Sequence, residues 1–408
     1  MRDQQPKSRD ATLTLHAGAA PREVGLPVSS PPVMATSFFT HPDAIGFSAN
    51  DLKDAAPHFY SRWSNPTLEL LEIRLAALEG GEAALSFATG MAAVSALFLD
   101  RLGSGDHLVL SNVCYAGVAE LAHDILPKHG IAVDAVDTSN LEAVAAAMRP
   151  NTKLVHIETP ANPILRLSDI AAIAEVAQAG RAELSVDATI STPLGTKPLS
   201  LGADYVVHSL TKYIGGHGDA LGGAVIGRQE RIAALRKGSL IHLGGLLSPF
   251  AAWLILRGME TLAPRMMMHE ANARRVEAFL ANRPKVRSVF WPGSPRHPQH
   301  ELAQRQMRNF SGLLAFTAKE EGGALARQLA ERLRVVSYAV SLGKTKSLLF
   351  YIPTEDILQS SFHLDGEGAR SYREWAADGV FRFSVGLEDP DDIIADLEQA
   401  LDELPEPS

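Results

Sequence analysis

The sequence has a single cysteine, Cys114, among 408 residues. One thiol cannot make an intrachain disulfide, a dithiol redox pair or a cysteine-based metal cluster. The sequence also lacks any basic run, and its net charge of −9 excludes the electrostatic footprint of a nucleic-acid-binding protein. These absences are typical of a protein from a reducing compartment that acts on a small molecule.

Long hydrophobic runs are absent as well. The most apolar stretch, residues 246–259, contains Pro249 and Arg257 and is shorter than the roughly 20 apolar residues of a membrane span. Residues 1–22 mix charged and polar side chains without the apolar core of a secretory signal, and no repeat occurs at solenoid spacing. We therefore expect a cytoplasmic globular protein.

The order of predicted elements divides the chain into three parts. Residues 1–63 contain seven prolines and only short apolar runs, so this segment is expected to be an arm that lies on something else. In residues 64–260 short apolar runs alternate with helical stretches, which indicates a mostly parallel sheet with helices on both faces. In residues 261–408 a long helix precedes several strands, which indicates a smaller α+β domain.

Hydrophobic periodicity predicts the individual elements. A helix is expected from Thr67, because leucines recur at helical spacing and Gly80 and Gly81 follow them. The expected strands are residues 107–113, 132–136, 154–157, 184–186, 205–208, 312–317, 347–351 and 381–385. The other expected helices are residues 92–99, 118–126, 141–148, 168–179 and 262–280, with a last helix from Asp391.

A lysine with unusual neighbours follows one predicted strand. Lys212 stands between the hydroxyl residues Ser209 and Thr211 on one side and a glycine-rich stretch from Gly215 to Gly218 on the other. A lysine just past a strand end in such a setting suits a Schiff-base lysine beside a phosphate subsite. Taken alone, a solvated loop lysine is the commoner explanation, because short motifs match by chance.

Two further features would complete such a site. Asp187 ends an apolar strand 25 residues before Lys212, and a carboxylate there could keep a pyridine nitrogen protonated. Thr89, Gly90 and Met91 precede a predicted helix whose N-terminal N–H groups could bind an anion. An ordinary turn or helix cap is the alternative for each feature when it is taken alone.

Several segments, in this order and at this spacing, make the sequence similar to the Cys/Met-metabolism group of fold-type I pyridoxal-phosphate enzymes. That group includes cystathionine γ-synthases, cystathionine β- and γ-lyases, methionine γ-lyases and O-acylhomoserine sulfhydrylases. The matching segments are Tyr60-Ser61-Arg62, Asn65-Pro66-Thr67, Gly90-Met91-Ala92, Tyr115, Glu158 to Pro163, Val186-Asp187, Ser209 to Tyr213, Gly216-His217, Ser341-Leu342-Gly343 and Arg382 to Asp389.

The resemblance implies a fold-type I transferase fold, with a mostly parallel central sheet and a smaller α+β C-terminal domain. It implies that Lys212 forms the internal aldimine with pyridoxal 5'-phosphate, that Asp187 pairs with the pyridinium nitrogen, and that Tyr115 stacks on the ring. The residues that the resemblance assigns to the phosphate are Gly90, Met91, Ser209 and Thr211, together with Tyr60 and Arg62 from a neighbouring subunit. Residues 1–63 would then be an arm that completes the neighbour's site, which requires at least a dimer, and family members are usually tetramers.

The resemblance also assigns substrate contacts. Arg382 matches the arginine that binds the substrate α-carboxylate, for which a planar guanidinium is suited, and Ser341 and Tyr60 are assigned to the substrate as well. Asn162 would lie near the ring oxygen of the cofactor, and a structural asparagine before Pro163 is the alternative.

These roles imply a mechanism. The freed Lys212 amine removes the α-proton while the cofactor ring accepts the charge, and Tyr115 helps to transfer a proton to the leaving group at the γ-carbon. The product can be hydrolysed to a 2-oxo acid and ammonia, which makes a lyase. Alternatively a nucleophile traps it, which makes a synthase or sulfhydrylase.

Departures from the family pattern bear on the substrate. Gly117 stands where methionine γ-lyases carry a cysteine, so methionine is disfavoured, and Cys114 is expected to be a small packed residue. Lys346 stands where many cystathionine γ-lyases have a glutamate, and it would disfavour a cationic distal group if it faced the pocket. The segment around Tyr351 lacks the usual His-Pro, which suggests a reshaped pocket.

We therefore expect a homo-oligomeric lyase that carries out γ-elimination on a γ-substituted homoserine-type L-amino acid such as cystathionine. Two alternatives stay open. One is γ-replacement, as in an O-acylhomoserine sulfhydrylase or a cystathionine γ-synthase. The other is γ-elimination of a non-sulfur substrate such as canavanine. No metal site is expected, because Pro295 and Pro298 argue against a helix that would aim His297 and His300 at one ion.

Overall fold

The computed structural model describes residues 8–19, 24, 27–41, 48–49 and 57–402. Within these residues the strands are β1 (Ala83–Phe87), β2 (His107–Ser111), β3 (Ala132–Val136), β4 (Thr152–Glu158), β5 (Glu183–Asp187), β6 (Tyr205–Ser209), β7 (Gly223–Gly227), β8 (Val286–Phe290), β9 (Leu313–Ala318), β10 (Ser337–Tyr338), β11 (Leu348–Pro353) and β12 (Gly379–Ser384).

The α-helices of the same residues are α1 (Asp10–His16), α2 (Pro66–Glu79), α3 (Gly90–Arg101), α4 (Ala116–Glu120), α5 (Leu141–Ala147), α6 (Ile170–Ala179), α7 (Thr192–Gly195), α8 (Gln229–Leu235), α9 (Ile241–Leu243), α10 (Pro249–Met259), α11 (Leu262–Leu280), α12 (His300–Gln306), α13 (Gly322–Arg332), α14 (Thr354–Ile357), α15 (Gly366–Ala376) and α16 (Pro390–Leu401). None of them combines the length and the apolar character that a bilayer crossing requires.

The chain forms two compact units. The described parts of residues 1–101, 197–200 and 204–264 make the first unit, and those of residues 102–196, 201–203 and 265–408 make the second.

The predicted arm, residues 1–63, is only partly described. Residues 1–7, 20–23, 25–26, 42–47 and 50–56 lie outside the described residues. The expected division into an arm (1–63), a cofactor domain (64–260) and a C-terminal domain (261–408) stays a prediction.

The first unit holds an antiparallel group of three strands. β7 lies between β1 and β6 and pairs with both in antiparallel register. The leucines of α2 that motivated the helix prediction are all buried. Asn65 caps the helix by accepting a hydrogen bond from the Thr67 N–H, and Gly80 ends it with a φ of 73°, a left-handed conformation that favours glycine.

The second unit contains the predicted parallel strands. β5, β4, β2 and β3 lie side by side in this order, and each neighbouring pair is parallel. β4 and β5 end together, because Glu158 is the register partner of Asp187. Parallel strands bring their carboxyl ends to one edge of a sheet, where ligands of α/β proteins bind. Both acidic residues therefore lie at a ligand-binding edge.

The second unit also contains a five-stranded sheet in the order β10-β11-β12-β9-β8. All of its pairs are antiparallel except β10 with β11, so the predicted antiparallel character of the C-terminal region is confirmed. Phe316 and Phe381 stack in its core, with Tyr351 against Phe381. Tyr351 is thus a core residue, and the reshaped pocket that the missing His-Pro suggests stays a prediction.

Strands β1, β7, β8 and β10 are absent from the sequence-based expectations. β7 reads Gly-Ala-Val-Ile-Gly, and two glycines in five residues are untypical of a strand. The structure supplies the reason for one of them, since a Cβ on Gly223 would lie 2.1 Å from the carbonyl oxygen of Thr89. Close approach of two backbones therefore selects glycine here, a constraint that local propensity does not contain.

A buried acid–base pair joins α2 to β6 in the first unit. Glu79 Oε1 and His208 Nε2 form a hydrogen bond, and neither side chain is exposed to solvent. Glu79 Oε2 and His208 Nδ1 have no partner among the described residues. Each residue therefore depends on the other, because a buried polar group without a partner is costly.

Replacing Glu79 with alanine should lower the free energy of unfolding by about 1–3 kcal/mol, because the change leaves His208 buried with both ring nitrogens unpartnered. The matched control is Glu69→Ala, an exposed glutamate on the same helix, which should cost about 0.5 kcal/mol or less. Thermal unfolding of the two variants measures the difference. Equal midpoints for both would show that the buried pair contributes nothing.

Candidate active site

The side chains predicted for the site fall into two groups, one within each unit. The first group surrounds Lys212, which follows the end of β6 in a tight turn. Its N–H donates to the Ser209 carbonyl at 3.2 Å, and its carbonyl accepts from the Gly216 N–H at 2.7 Å. Tyr213 and Ile214, which follow Lys212, are buried. The backbone of the lysine is therefore fixed, while its own side chain is partly exposed.

The N-terminus of α3 lies against the end of β6. α3 begins at Gly90, and a Cβ on Gly90 would lie 3.0 Å from the Cβ of Ser209. Thr89 caps the helix by accepting a hydrogen bond from the Ala92 N–H at 3.0 Å. The missing side chain thus opens a cradle beside a helix N-terminus, which is a suitable place for a phosphate.

Two other phosphate candidates of this group, Met91 and Thr211, are partly exposed. The Thr211 hydroxyl accepts from the Gly222 N–H at 3.1 Å and lies 3.3 Å from the Gly222 carbonyl. In this structure the hydroxyl therefore binds backbone.

Tyr60 and Arg62 are also held within the first unit. The Arg62 guanidinium lies 5.4 Å from the centre of the Tyr60 ring, and its Nη1 donates to the Ile241 carbonyl at 2.7 Å. Tyr60 is 42% exposed. A guanidinium has five N–H donors in a fork, so this arrangement leaves donors for an anion.

The second group begins with Asp187 at the end of β5. Its side chain is 9% exposed and accepts a hydrogen bond from the Thr189 N–H at 2.9 Å. A buried carboxylate at the ligand-binding edge suits a cationic ring nitrogen. Such a carboxylate therefore fits the ring-nitrogen end of pyridoxal 5'-phosphate.

Tyr115 immediately precedes α4 and is 50% exposed, so a face of its ring is open to a ligand. Its neighbour Cys114 is fully buried. Burial, and then the negative charges of Glu158 and Asp187, raise the pKa of the Cys114 thiol well above its ordinary value. The prediction that Cys114 is a small packed residue is confirmed.

Arg382 lies on β12, and its hydrogen-bond acceptors are uncharged. Its Nη1 donates to Asn162 Oδ1 at 3.3 Å, and its Nη2 donates to the Ser341 carbonyl at 3.1 Å. Burial lowers the pKa of the guanidinium, which stays charged. No acidic side chain of the described residues forms an ion pair with it. Its charge therefore remains for a carboxylate ligand.

The structure thus brings together three of the predicted residues, Asn162, Ser341 and Arg382, through direct hydrogen bonds. Ser341 has a φ of 83°, a strained conformation for a residue other than glycine. Backbone strain of this kind is common at functional sites, and here it presents the Ser341 carbonyl to the guanidinium.

Sequence reasoning assigned no role to Glu158, although the residue stood in a matching segment. Glu158 is 6% exposed and accepts hydrogen bonds from the backbone N–H groups of Tyr115 and Asn162. One signal was available, because Glu158 directly follows the predicted strand 154–157 in the same way as Asp187 follows the predicted strand 184–186.

A cleft elsewhere in the first unit is separate from these residues. It has a volume of about 450 Å³ and lies among α2, β1 and α8, with Glu72 and Arg236 in its wall. Those two side chains form an ion pair at 2.6 Å. None of the predicted site residues lines this cleft.

Comparison with known proteins assigns the chain to a family. The family described as Cys/Met metabolism PLP-dependent enzyme matches residues 11–402. A canavanine γ-lyase of Pseudomonas canavaninivorans is 41% identical over 96% of both chains, and an L-methionine γ-lyase of Pseudomonas putida is also 41% identical over 96% of both chains. An O-succinylhomoserine sulfhydrylase of Pseudomonas aeruginosa is 40% identical over 90% of both chains.

Among solved structures, the crystal structure of metB from Corynebacterium glutamicum has 36% sequence identity and a TM-score of 0.85. The match covers 97% of this chain and 98% of that one. The predicted fold-type I architecture is confirmed, and so is the predicted cofactor. The chain belongs to the Cys/Met-metabolism family of pyridoxal-phosphate-dependent enzymes and is a γ-lyase or a γ-replacement enzyme of that family.

Proposed function

We propose that this enzyme catalyses γ-elimination on a γ-substituted L-amino acid, and that canavanine is the first substrate to test and cystathionine the second. The observation that carries the proposal is Arg382, a half-buried guanidinium whose hydrogen-bond partners are uncharged. Such a group binds the α-carboxylate of an amino acid through two parallel hydrogen bonds. Ser341 and Tyr60 are assigned to the same substrate.

The cofactor contacts follow from the two groups of residues. Lys212 is the point of covalent attachment, Asp187 pairs with the ring nitrogen, and Tyr115 offers the exposed ring for stacking. The phosphate is assigned to the cradle at Gly90 and to Met91, Ser209 and Thr211, with Asn162 near the ring oxygen. Pyridoxal phosphate, when bound, supplies an electron-accepting ring that stabilises negative charge at the substrate α-carbon.

Two side chains then move protons. The Lys212 amine would remove the α-proton of the bound substrate, and it is suited to this because its backbone is fixed on both sides. The Tyr115 phenol transfers a proton to the group that leaves the γ-carbon. Asp187, at the buried end of β5, would not itself move a proton.

Two positions favour a non-sulfur substrate over methionine. Gly117 lies in α4 two residues after Tyr115, where methionine γ-lyases carry a cysteine, so the thiol is missing. Lys346 is exposed and has no ion-pair or hydrogen-bond partner among the described residues. Water screens its charge, so repulsion of a basic distal group such as the oxyguanidine of canavanine is weak.

γ-Replacement is the second candidate, and the sulfhydrylase relative favours it. The same residues would bind the substrate. The two reactions would differ in whether a nucleophile bonds to the γ-carbon after the leaving group departs, or whether no nucleophile bonds there and the product is hydrolysed to a 2-oxo acid and ammonia.

Replacing Lys212 with alanine should abolish both the yellow colour of the purified enzyme and its turnover, because the cofactor loses its point of attachment. Lys153→Ala, an exposed lysine at the start of β4, is the control and should keep both. Visible absorbance and product formation are the measurements. A Lys212→Ala variant that keeps a wild-type absorbance band would refute the assignment.

A substrate panel separates elimination from replacement. Canavanine, cystathionine, methionine, O-acetylhomoserine and O-succinylhomoserine are each supplied with and without sulfide or cysteine, and the products are quantified. We expect 2-oxobutanoate without any nucleophile, with canavanine or cystathionine turned over at least about tenfold faster than methionine in kcat/KM. Turnover only with a nucleophile would establish a transferase, and homoserine as product would establish hydrolytic replacement.

Subunit mixing tests whether Arg62 serves a neighbouring subunit. Lys212→Ala and Arg62→Ala are expected to be inactive alone, but a mixed dimer has one site with both residues intact. Random assembly should therefore restore about a quarter of wild-type activity. Lys212→Ala mixed with Asp187→Ala is the control, because both residues are assigned to the same subunit and no site becomes complete. No recovery in the first mixture, or a fully active monomer, would contradict the proposed arm.

A further inference from the structure

The Glu158 side chain joins separate segments of the second unit. Its Oε2 accepts a hydrogen bond from the Tyr115 N–H at 2.6 Å, and its Oε1 accepts one from the Asn162 N–H at 2.8 Å. Tyr115 lies 43 residues before Glu158 in the sequence and immediately precedes α4. One carboxyl group therefore sets the position of two residues that are assigned to the cofactor.

The connection extends to the substrate arginine. The backbone of Asn162 is held by Glu158, and the side-chain oxygen of the same residue accepts a hydrogen bond from Arg382. A displaced Asn162 would release one of the two acceptors that orient the guanidinium. Glu158 thus acts on Arg382 through Asn162, and the positive charge of Arg382 in turn favours the ionised form of Glu158.

The setting of Glu158 opposes its ionisation. Burial first, and the neighbouring charge of Asp187 second, raise the pKa of Glu158 above its ordinary value. The N–H bonds from Asn162 and Tyr115 act in the opposite direction, since they favour the carboxylate. A buried glutamate beside Asp187 lowers the stability of the fold, and an uncharged residue of the same volume would make the fold more stable. Stability alone therefore does not explain a glutamate at this position.

We propose that Glu158 is a positioning residue of this enzyme, one that fixes Tyr115 against the cofactor ring and, through Asn162, Arg382 for the substrate carboxylate. The inference rests on the proposed function. The inference goes beyond the proposed function because it makes the geometry of the cofactor and substrate contacts depend on Glu158, which is assigned no contact with either ligand.

The test is Glu158→Gln in the holoenzyme. Glutamine keeps the size but has one acceptor oxygen, so one of the two backbone N–H groups loses its partner. We expect KM to rise about tenfold or more, because one lost hydrogen bond to a charged group has an effect of that size. We also expect the visible circular dichroism of the bound cofactor to change. The circular dichroism reports the ring environment and needs no turnover.

Asp396→Asn is the matched control. Asp396 is also a buried carboxylate of the second unit, and it accepts hydrogen bonds from the backbone N–H groups of residues 334, 335 and 336. Both variants should lower the melting temperature. Only Glu158→Gln should alter KM and the circular dichroism.

Each remaining outcome decides the proposal. If Glu158→Gln loses melting temperature but keeps the wild-type KM and spectrum, Glu158 is structural and the proposal is wrong, while the proposed function stands. Glu158→Asp, which keeps a carboxyl group on a shorter stem, is the second variant and should show a smaller change in the same two readouts. If neither variant folds, the proposal is rejected. A wild-type enzyme that stays colourless with added pyridoxal phosphate overturns the proposed function itself.

Discussion

Two buried carboxyl groups at the ends of neighbouring parallel strands set the conditions for the chemistry of this molecule. Glu158 and Asp187 are register partners, so the parallel pairing of β4 and β5 brings them side by side. Like charges this close disfavour each other's ionisation, and burial adds to the effect. Donors must therefore surround them. Backbone N–H groups donate hydrogen bonds to Glu158, and a cationic ring nitrogen is proposed to donate one to Asp187.

The same principle explains why Arg382 is informative. Most arginines of this chain that form ion pairs are at least partly exposed, and screened pairs contribute little. Arg382 is half-buried, and its acceptors are an amide oxygen and a carbonyl oxygen. Tyr115 and Glu158 partly offset the cost of removing its charge from water, and a ligand carboxylate would offset it further.

Much of the fold was predictable because it depends on local patterns. The leucines of α2 and the apolar runs of β2 to β6 follow periodicities that a single sequence contains, and the predicted elements differ from the observed ones by a few residues at their ends. β7 was not predicted because the close approach of the Thr89 backbone requires glycine at position 223, and Thr89 is distant in sequence. The packing of Tyr351 against Phe381 was likewise beyond the sequence pattern, since it exists only in the folded sheet.

The sequence by itself determined the family, the cofactor and the candidate residues, because chemistry at a site requires particular residue types at particular spacings. The tertiary structure alone decided which side chains act together. Glu158 is a glutamate like many others until the pairing of β4 with β5 buries it beside Asp187 and presents the N–H groups of Tyr115 and Asn162 to it. Hydrogen bonds between residues so far apart in the chain depend on distances in space, and a linear pattern does not contain them.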